Sequence, residues 1–264
     1  IGFAFIQNKN LITAQTVNNP LFLQSKGDIY IDKKNESLNL SFVFIDSTNS
    51  KLFHDLSDKI KSNNQYASND YLLFKDKTNN IEIYLKEVDK GSSYKNTCLY
   101  SILLEIKFLD KNSSYTFNSL NLLDKTYSIG DIYIERVANC DELELCYNIG
   151  FTESMDKYYI QLINESRNNI DSLKLKNADY IDKVYYFVNG KRVKEVKNLK
   201  PKDKLKILIL FKDDLKKYNM FYFSPNIEYK IKNRNKNDVI PFTTYGEVKQ
   251  DEILDVYKKL ENNQ

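Results

Sequence analysis

Several residue types are scarce in this chain of 264 residues, and each scarcity excludes a class of protein. Seven glycines and four prolines exclude a collagen-like chain, and three cysteines exclude a disulfide-rich scaffold. No run of about 18 apolar residues is present, so the sequence predicts no membrane-spanning helix. Twenty tyrosines and 15 phenylalanines are too many core-forming side chains for a disordered chain. The length fits one large or two ordinary globular domains.

The inventory of catalytic side chains is also thin. His54 is the one histidine of the sequence, so any Ser-His-Asp or Cys-His machinery would have to use it. It lies at the start of a predicted short helix over 53–61, where Asp55 is explained by the favourable position of a carboxylate near a helix N-terminus. No GxSxG, HExxH, Walker or GxGxxG motif occurs. We therefore predict no enzyme, no catalytic residue and no cofactor, and rank a hydrolase with an unrecognised site third among the functions.

The cysteines do not form a metal-binding pattern. Cys98, Cys140 and Cys146 have no CxxC spacing, and with one histidine the chain cannot easily supply the four ligands of a zinc site. We therefore predict no metal. Three cysteines are compatible with a single disulfide or with buried reduced thiols that pack as small hydrophobic side chains, and buried thiols are favoured.

Two similar strings lie about a hundred residues apart. Residues 26–31 read KGDIYI and residues 129–134 read IGDIYI, and apolar residues alternate with other residues after each string. The alternating residues are Leu38, Leu40, Phe42 and Phe44 after the first string, and Leu143, Leu145, Tyr147 and Ile149 after the second. The repetition predicts two related domains, and chance identity in a biased composition is the alternative. The first domain would span 1–125, with an N-terminal extension over 1–25, and the second, basic domain would span 126–264 and end in a helix.

Strand patterns dominate both halves of the sequence. Apolar alternation is typical of half-buried strands, and Asn189-Gly190 is a strong hairpin signal because both residues of a type I′ turn take positive φ. Strands at roughly ten-residue spacing favour two tandem antiparallel β-sandwich domains of immunoglobulin-like type, with a few short helices. The segment 198–211, NLKPKDKLKILILF, resembles the turn and buried strand of many bacterial immunoglobulin-like surface modules. That resemblance covers fourteen residues and implies an architecture without any functional residue.

Charge is unevenly distributed, although the net charge is only +3. Residues 183–236 contain 16 Lys and Arg against 5 Asp and Glu, so the other 210 residues contain 23 basic and 31 acidic side chains. Aromatic residues such as Tyr185, Phe187 and Tyr218 are interspersed among these cations. Such an asymmetry is evidence about association and says little about the fold.

Four interpretations fit the basic segment 183–236. Its lysines can guard exposed and edge strands against association, which is the commonest outcome in a lysine-rich chain. The segment can face an anionic cell-envelope polymer such as teichoic acid, or anionic lipid headgroups. It can also face the acidic first domain. Single-stranded nucleic acid is disfavoured, because the chain has four arginines and no RRM, KH or helix-turn-helix pattern.

We predict a non-enzymatic binding or structural module, secreted or anchored at the surface of a low-GC bacterium, that contacts a protein or an anionic envelope polymer. The first six residues, IGFAFI, fit the end of a signal segment or membrane tether upstream of Ile1, or an N-terminal strand. The runner-up function is the sensing ectodomain of a membrane-anchored regulator. The candidate binding residues are Lys191, Arg192 and Lys194 on the hairpin, and Lys202, Lys204 and Lys206 on the next strand.

Overall fold

A computed structural model describes residues 17, 19–63, 71–76, 81–109, 114–137, 145–151, 156–176, 179–240, 243–246 and 248–262. Within these residues the chain forms four β-sheets and two α-helices. The predicted fold class, mainly β sandwiches with a few short helices, is confirmed, and most neighbouring strands are antiparallel.

The first half contains eight described strands and one helix: β1 (Leu21–Phe22), β2 (Ser25–Asp32), β3 (Ser37–Ser47), α1 (Lys51–Asn63), β4 (Tyr71–Asp76), β5 (Ile81–Tyr94), β6 (Thr97–Phe108), β7 (Ser114–Leu122) and β8 (Lys125–Val137). The second half continues with β9 (Leu145–Phe151), β10 (Lys157–Asn164), β11 (Ile170–Leu175), β12 (Ile181–Val188), β13 (Lys191–Val193), β14 (Val196–Leu199), β15 (Lys204–Phe211), β16 (Met220–Phe223), β17 (Asn226–Ile231), β18 (Arg234–Val239), β19 (Thr243–Gly246) and α2 (Ile253–Asn262). Short 3₁₀ turns at Asp213–Lys217 and Gln250–Glu252 precede β16 and α2.

The first sandwich consists of sheet 1, with strand order β1-β3-β6-β5-β4, and sheet 2, with order β19-β16-β2-β8-β7. Aromatic rings join the two sheets: the ring centroids of Phe22 and Tyr127 lie 5.3 Å apart, and those of Phe108 and Tyr115 lie 5.0 Å apart. The alternating residues predicted in β3 are buried here: Leu38, Leu40, Phe42 and Phe44. Period-two alternation thus gives sheet 1 one face for the core.

Helix α1 begins where the sequence supplies a serine cap. The backbone N–H of Phe53 donates to Ser50 Oγ over 3.1 Å, which satisfies one of the free donors of the first turn. Leu52 and Leu56 are buried in the first core. His54 is exposed near the start of the helix, as predicted, and its Nε2 lies 3.2 Å from Asn49 Oδ1.

The second sandwich consists of sheet 3, with order β13-β12-β15-β10-β9, and sheet 4, with order β14-β11-β17-β18. Its buried residues include those predicted in β15: Leu205, Ile207, Ile209 and Phe211. The predicted hairpin joins β12 to β13, and Asn189 and Gly190 have φ of 47° and 81°, both positive as predicted. Asn189 Oδ1 accepts from the backbone N–H of Lys204 over 2.9 Å, which ties the hairpin to β15.

The two similar strings lie side by side in a single sheet. Strands β2 and β8 are parallel neighbours in sheet 2, with Ser25 opposite Gly130 and Gly27 opposite Ile132. Both strands bury isoleucines in the first core, so the two strings belong to one sandwich and do not mark two separate domains. The chain after the second string, β9, belongs to sheet 3 of the other sandwich. Sheet 2 is therefore mixed, whereas antiparallel pairing was expected.

The predicted boundaries do not coincide with the division between the two hydrophobic cores. The boundary at 125/126 falls inside β8, directly after its first residue, Lys125, which pairs with Leu122 of β7. Helix α2, assigned to the second domain, packs Ile253 and Tyr257 in the first core. Part of the predicted N-terminal extension, β1, is also buried there, and residues 1–16 lie outside the described residues. The position of α2 differs because the chain returns to the first sandwich after it has formed the second.

Strand β16 joins the two cores. It lies parallel to β2 in sheet 2, and all four of its residues are buried. Met220 and Tyr222 pack in the first core, whereas Phe221 and Phe223 pack in the second. Successive side chains of a strand point to opposite faces, so one strand of four residues stabilises both sandwiches.

One cysteine can be compared with the prediction. Cys98 is fully buried, forms no disulfide, and burial raises the pKa of its thiol. It is a buried free thiol, as predicted for it. Cys140 and the side chain of Cys146 lie outside the described residues.

Candidate functional site

Two surfaces of the second sandwich carry the basic side chains, and the first is the solvent-facing side of sheet 3. Strand β15 alternates strictly, so every second residue points away from the core. Cross-strand pairing extends this side over the neighbouring strands. We define the outer face of sheet 3 by Lys157, Tyr159, Gln161, Lys183, Tyr185, Phe187, Arg192, Lys204, Lys206, Leu208 and Leu210.

The centre of the outer face of sheet 3 is apolar. Leu208 lies opposite Tyr185 on one side and Tyr159 on the other, and all three side chains are only half-buried. The guanidinium of Arg192 lies 4.4 Å from the centroid of the Tyr185 ring, which is cation–π geometry. Lys206 is opposite Phe187 in the next row. The face is therefore aromatic in the middle and carries cations on both sides of this centre.

The structure brings together three of the six predicted binding residues. Arg192, Lys204 and Lys206 share the outer face of sheet 3 and are exposed. Lys191 is also exposed, but it precedes Arg192 in β13 and therefore points to the opposite side of the sheet. The other two lie in turns: Lys194 after β13, and Lys202 before β15, where it forms an ion pair with Glu165. Alternation separates cations that are neighbours in sequence.

The second surface is a cleft of about 1080 Å³ between the two sandwiches. Its floor is the polar side of sheet 4, and its wall is formed by Lys33 after β2 and by the end of β8. The lining residues are Lys33, Glu135, Arg136, Val137, Ser172, Leu173, Lys174, Lys176, Glu195, Val196, Lys197, Asn226, Glu228, Tyr229, Lys230, Asn235, Lys236 and Asn237. We call this region the cleft.

One side of the cleft ends in an ion pair between the sandwiches. Lys176 Nζ lies 2.9 and 3.0 Å from the two carboxylate oxygens of Glu135, and 4.9 Å from the centroid of the Tyr30 ring. The hydroxyl of Tyr133 donates to the same carboxylate over 3.1 Å. This ion pair is not the intramolecular contact predicted between the acidic first domain and the basic segment 183–236. Glu135 and Lys176 both lie within the predicted second domain, 126–264, and both precede the basic segment.

A buried carboxyl lies behind this ion pair. Burial raises the pKa of Asp28 above its ordinary 3.8, and the negative charge of Glu135 adds to the shift, while Tyr180 and Lys176 oppose it. The hydroxyl of Tyr180 is buried beside Asp28 without a hydrogen bond of ordinary geometry within the part of the chain that the structure describes. Ionised Asp28 is therefore less favourable in the folded protein than in the unfolded chain.

We expect Asp28→Asn to change how stability depends on pH. In the wild type, as pH rises from the ordinary pKa to the raised pKa, the unfolded chain releases the proton first, so stability falls across that interval. The asparagine variant lacks this loss, and its stability relative to the wild type should rise from acid to neutral pH. Urea unfolding of both proteins over that range measures the difference. A difference in stability that does not change with pH would contradict the raised pKa.

Sequence reasoning did not find the cleft. Its lining comes from several segments between Lys33 and Asn237, and half of them lie outside the basic segment 183–236. Lys197, Lys230 and Lys236 belong to that segment, so its excess of cations was the one available signal. Their common location depends on the pairing of β14, β11, β17 and β18, which the sequence does not specify.

Two further properties of the described residues concern membranes and metals. None of the helices in the described ranges is long and apolar enough to cross a membrane. Over the same part of the chain, His, Cys, Asp and Glu side chains form no group of three or more that could hold a metal ion.

No protein-family model matches the chain, and no curated protein matches it either. Among solved structures, the Enterococcus faecalis MSCRAMM ACE, whose structure is titled as binding its ligands by the collagen Hug model, is 10% identical, with 89% of this chain and 96% of that chain covered and a TM-score of 0.24. The secreted serine protease VesC from Vibrio cholerae is 8% identical, with 86% and 50% covered and a TM-score of 0.20. A Porphyromonas gingivalis W83 protein of unknown function is 8% identical, with 84% and 96% covered and a TM-score of 0.21. Likenesses of this size do not establish a shared family, activity or partner.

Proposed function

We propose that this chain is a non-enzymatic binding module of a secreted or surface-anchored bacterial protein, and that a protein partner docks on the outer face of sheet 3. The observation that carries the proposal is the half-exposed apolar centre of Tyr159, Tyr185 and Leu208 with cations on both sides. Protein interfaces combine a centre rich in aromatic residues and arginine with a polar rim. The outer face of sheet 3 has this arrangement of an aromatic centre and a charged rim.

The charges of the face specify the chemistry of the partner. Arg192, Lys204 and Lys206 lie on one side of the apolar centre, and Lys157 and Lys183 lie on the other. None of the described residues that define this face is acidic, and the acidic residue beside it is Asp182 at the β12 bulge, which lies 3.3 Å from Lys183 Nζ. The complementary surface is therefore acidic at its rim and apolar at its centre, and it associates faster at low salt.

The test is a double charge reversal on this face, Arg192→Glu with Lys206→Glu. Binding of the full chain to an array of purified extracellular proteins is measured by surface plasmon resonance. We expect at least one array protein to bind the wild type and to lose about tenfold or more in affinity for the variant, since two rim charges at about 1 kcal/mol each become repulsive.

A matched control separates the face from net charge. Lys51→Glu with Lys125→Glu changes the net charge equally at two exposed lysines of the first sandwich that lie in neither the outer face of sheet 3 nor the cleft. The control should bind as the wild type does. Equal weakening of both variants, or no array protein that binds the wild type, would overturn the proposal.

A further inference from the structure

The floor of the cleft is a grid of polar side chains. The register of sheet 4 places Lys197, Ser172, Lys230 and Asn235 in one row across four strands. Lys174, Glu228 and Asn237 form the next row. Neighbouring strands are about 4.8 Å apart and residues two apart along a strand about 6.6 Å, so donors and acceptors repeat at the spacing of small polar groups. The floor of the cleft can therefore form hydrogen bonds with an extended ligand along the length of that ligand.

The lining of the cleft has a positive excess. It contains seven cationic side chains and three acidic ones. Each acidic side chain has a lysine partner within the lining: Glu228 with Lys174 at 2.9 Å, Glu135 with Lys176 at 2.9 Å and Glu195 with Lys197 at 2.5 Å. The positive excess of this concave site includes Lys33 and Lys230, whose side chains are exposed. Concave sites of one sign concentrate ions of the other.

The same lining offers little apolar surface to a ligand. Tyr229 is the aromatic residue of the described lining and is 2% exposed, while Leu173 and Val196 are 4% and 2% exposed. Nucleic-acid bases need exposed aromatic rings for stacking, and peptide side chains need apolar pockets. Neither is provided here. Asn226, which is 3% exposed, contributes a side-chain oxygen that accepts no hydrogen bond from any described residue.

We propose that the cleft binds a hydroxyl-rich linear polyanion, either an acidic polysaccharide or a polyol-phosphate polymer. Its anionic groups meet Lys33 on the wall and Lys230 on the floor. Its hydroxyl groups bond to Glu228, Asn235 and Asn237. This site is separate from the outer face of sheet 3 and goes beyond the proposed protein-binding function.

The experiment measures binding of four probes to the full chain by calorimetry at low and moderate salt. A heparin octasaccharide represents the acidic polysaccharide, and poly(glycerol phosphate) represents the polyol phosphate. Polyglutamate supplies the charge without hydroxyls, and dextran supplies hydroxyls without charge. The cleft variant carries Lys33→Glu with Lys230→Glu, two exposed lysines on opposite sides of the cleft. The control is again Lys51→Glu with Lys125→Glu, which has the same net charge.

We expect heparin or poly(glycerol phosphate) to bind more tightly than polyglutamate and dextran, and the identity of the tighter probe names the source of the anion. The cleft variant should lose tenfold or more in affinity, while the control retains it. Equal binding of polyglutamate, equal loss in the control, or no binding of either polyanion at low salt would overturn the proposal. Loss in the variant Arg192→Glu with Lys206→Glu would place the polymer on sheet 3 and overturn it as well. None of these outcomes alters the protein-array result.

Discussion

Gly130→Ala is expected to lower the free energy of unfolding by about 4 kcal/mol or more, because it combines a backbone clash with an unfavourable backbone conformation. Gly130 has φ of +93°, and a Cβ added there would lie 2.0 Å from the carbonyl oxygen and 2.6 Å from the nitrogen of Ser25. Both are backbone atoms of the paired strand β2. The clash is relieved only if β2 and β8 move apart in the middle of sheet 2, because rotation of a side chain cannot move backbone atoms out of the way.

Two other glycines provide a graded comparison. Gly190 has φ of +81° and no atom within 4 Å of an added Cβ, so Gly190→Ala should cost only the conformational penalty. That penalty is about 1 kcal/mol. At Gly27 the added Cβ meets the side chain of Ile132 at 2.9 Å, and overpacking of this kind costs about 1–3 kcal/mol.

Urea unfolding followed by tyrosine fluorescence checks the order, since the chain has 20 tyrosines and no tryptophan. If Gly130→Ala and Gly190→Ala lose the same stability, the close approach of β2 and β8 is not as described. A larger loss of stability in Gly130→Ala than in Gly27→Ala would also show that the glycines of the two similar strings have different structural roles.

Phe221→Ala is expected to lower the free energy of unfolding by about 3–5 kcal/mol, as large buried aromatic truncations do. Phe221 is fully buried, and its ring centroid lies 5.1 Å from that of Phe211 and 5.4 Å from that of Tyr180. The substitution leaves a cavity in the second core. Because the neighbouring Tyr222 holds β16 in the first core, we expect both sandwiches to unfold in one transition.

The measurement is urea unfolding of wild type and variant, followed by far-ultraviolet circular dichroism and by tyrosine fluorescence. Coincident curves from the two probes indicate a single cooperative unit. The matched control is Phe74→Ala, since Phe74 is 39% exposed at the edge of sheet 1 and lies in neither core cluster. Its truncation should change stability by about 0.5 kcal/mol or less, as for most surface substitutions. Two separate transitions in the wild type would contradict a shared strand.

Local features of the sequence predicted local features of the structure. Alternation placed Leu205, Ile207 and Ile209 in the core, and Asn189-Gly190 marked a turn with two positive φ values. Both signals act over a few residues, because side-chain direction and turn conformation depend on near neighbours. Similarity between two strings is not local in this sense. The similarity indicated that both strands face the same kind of core, and it did not indicate where the strands lie in the fold.

The candidate sites follow the same division. The sequence showed an excess of cations over 183–236, but strand direction decided that Arg192 and Lys206 share a face while Lys191 does not. Prediction of the cleft from the sequence would have required the long-range pairing of the strands as well. Lys33 and Lys230 are almost two hundred residues apart in sequence, and they line the same cleft only because the end of β8 and sheet 4 border it.

The sequence by itself determined the mainly β class, the hairpin, the faces of its strands and the uneven charge, because composition and period-two patterns act through burial of nearby side chains. Only the tertiary structure decided that β2 and β8 are parallel partners, that β16 belongs to both cores and that α2 returns to the first sandwich. Long-range pairing depends on which apolar surfaces fit together after the chain collapses, and many pairings satisfy the same local pattern.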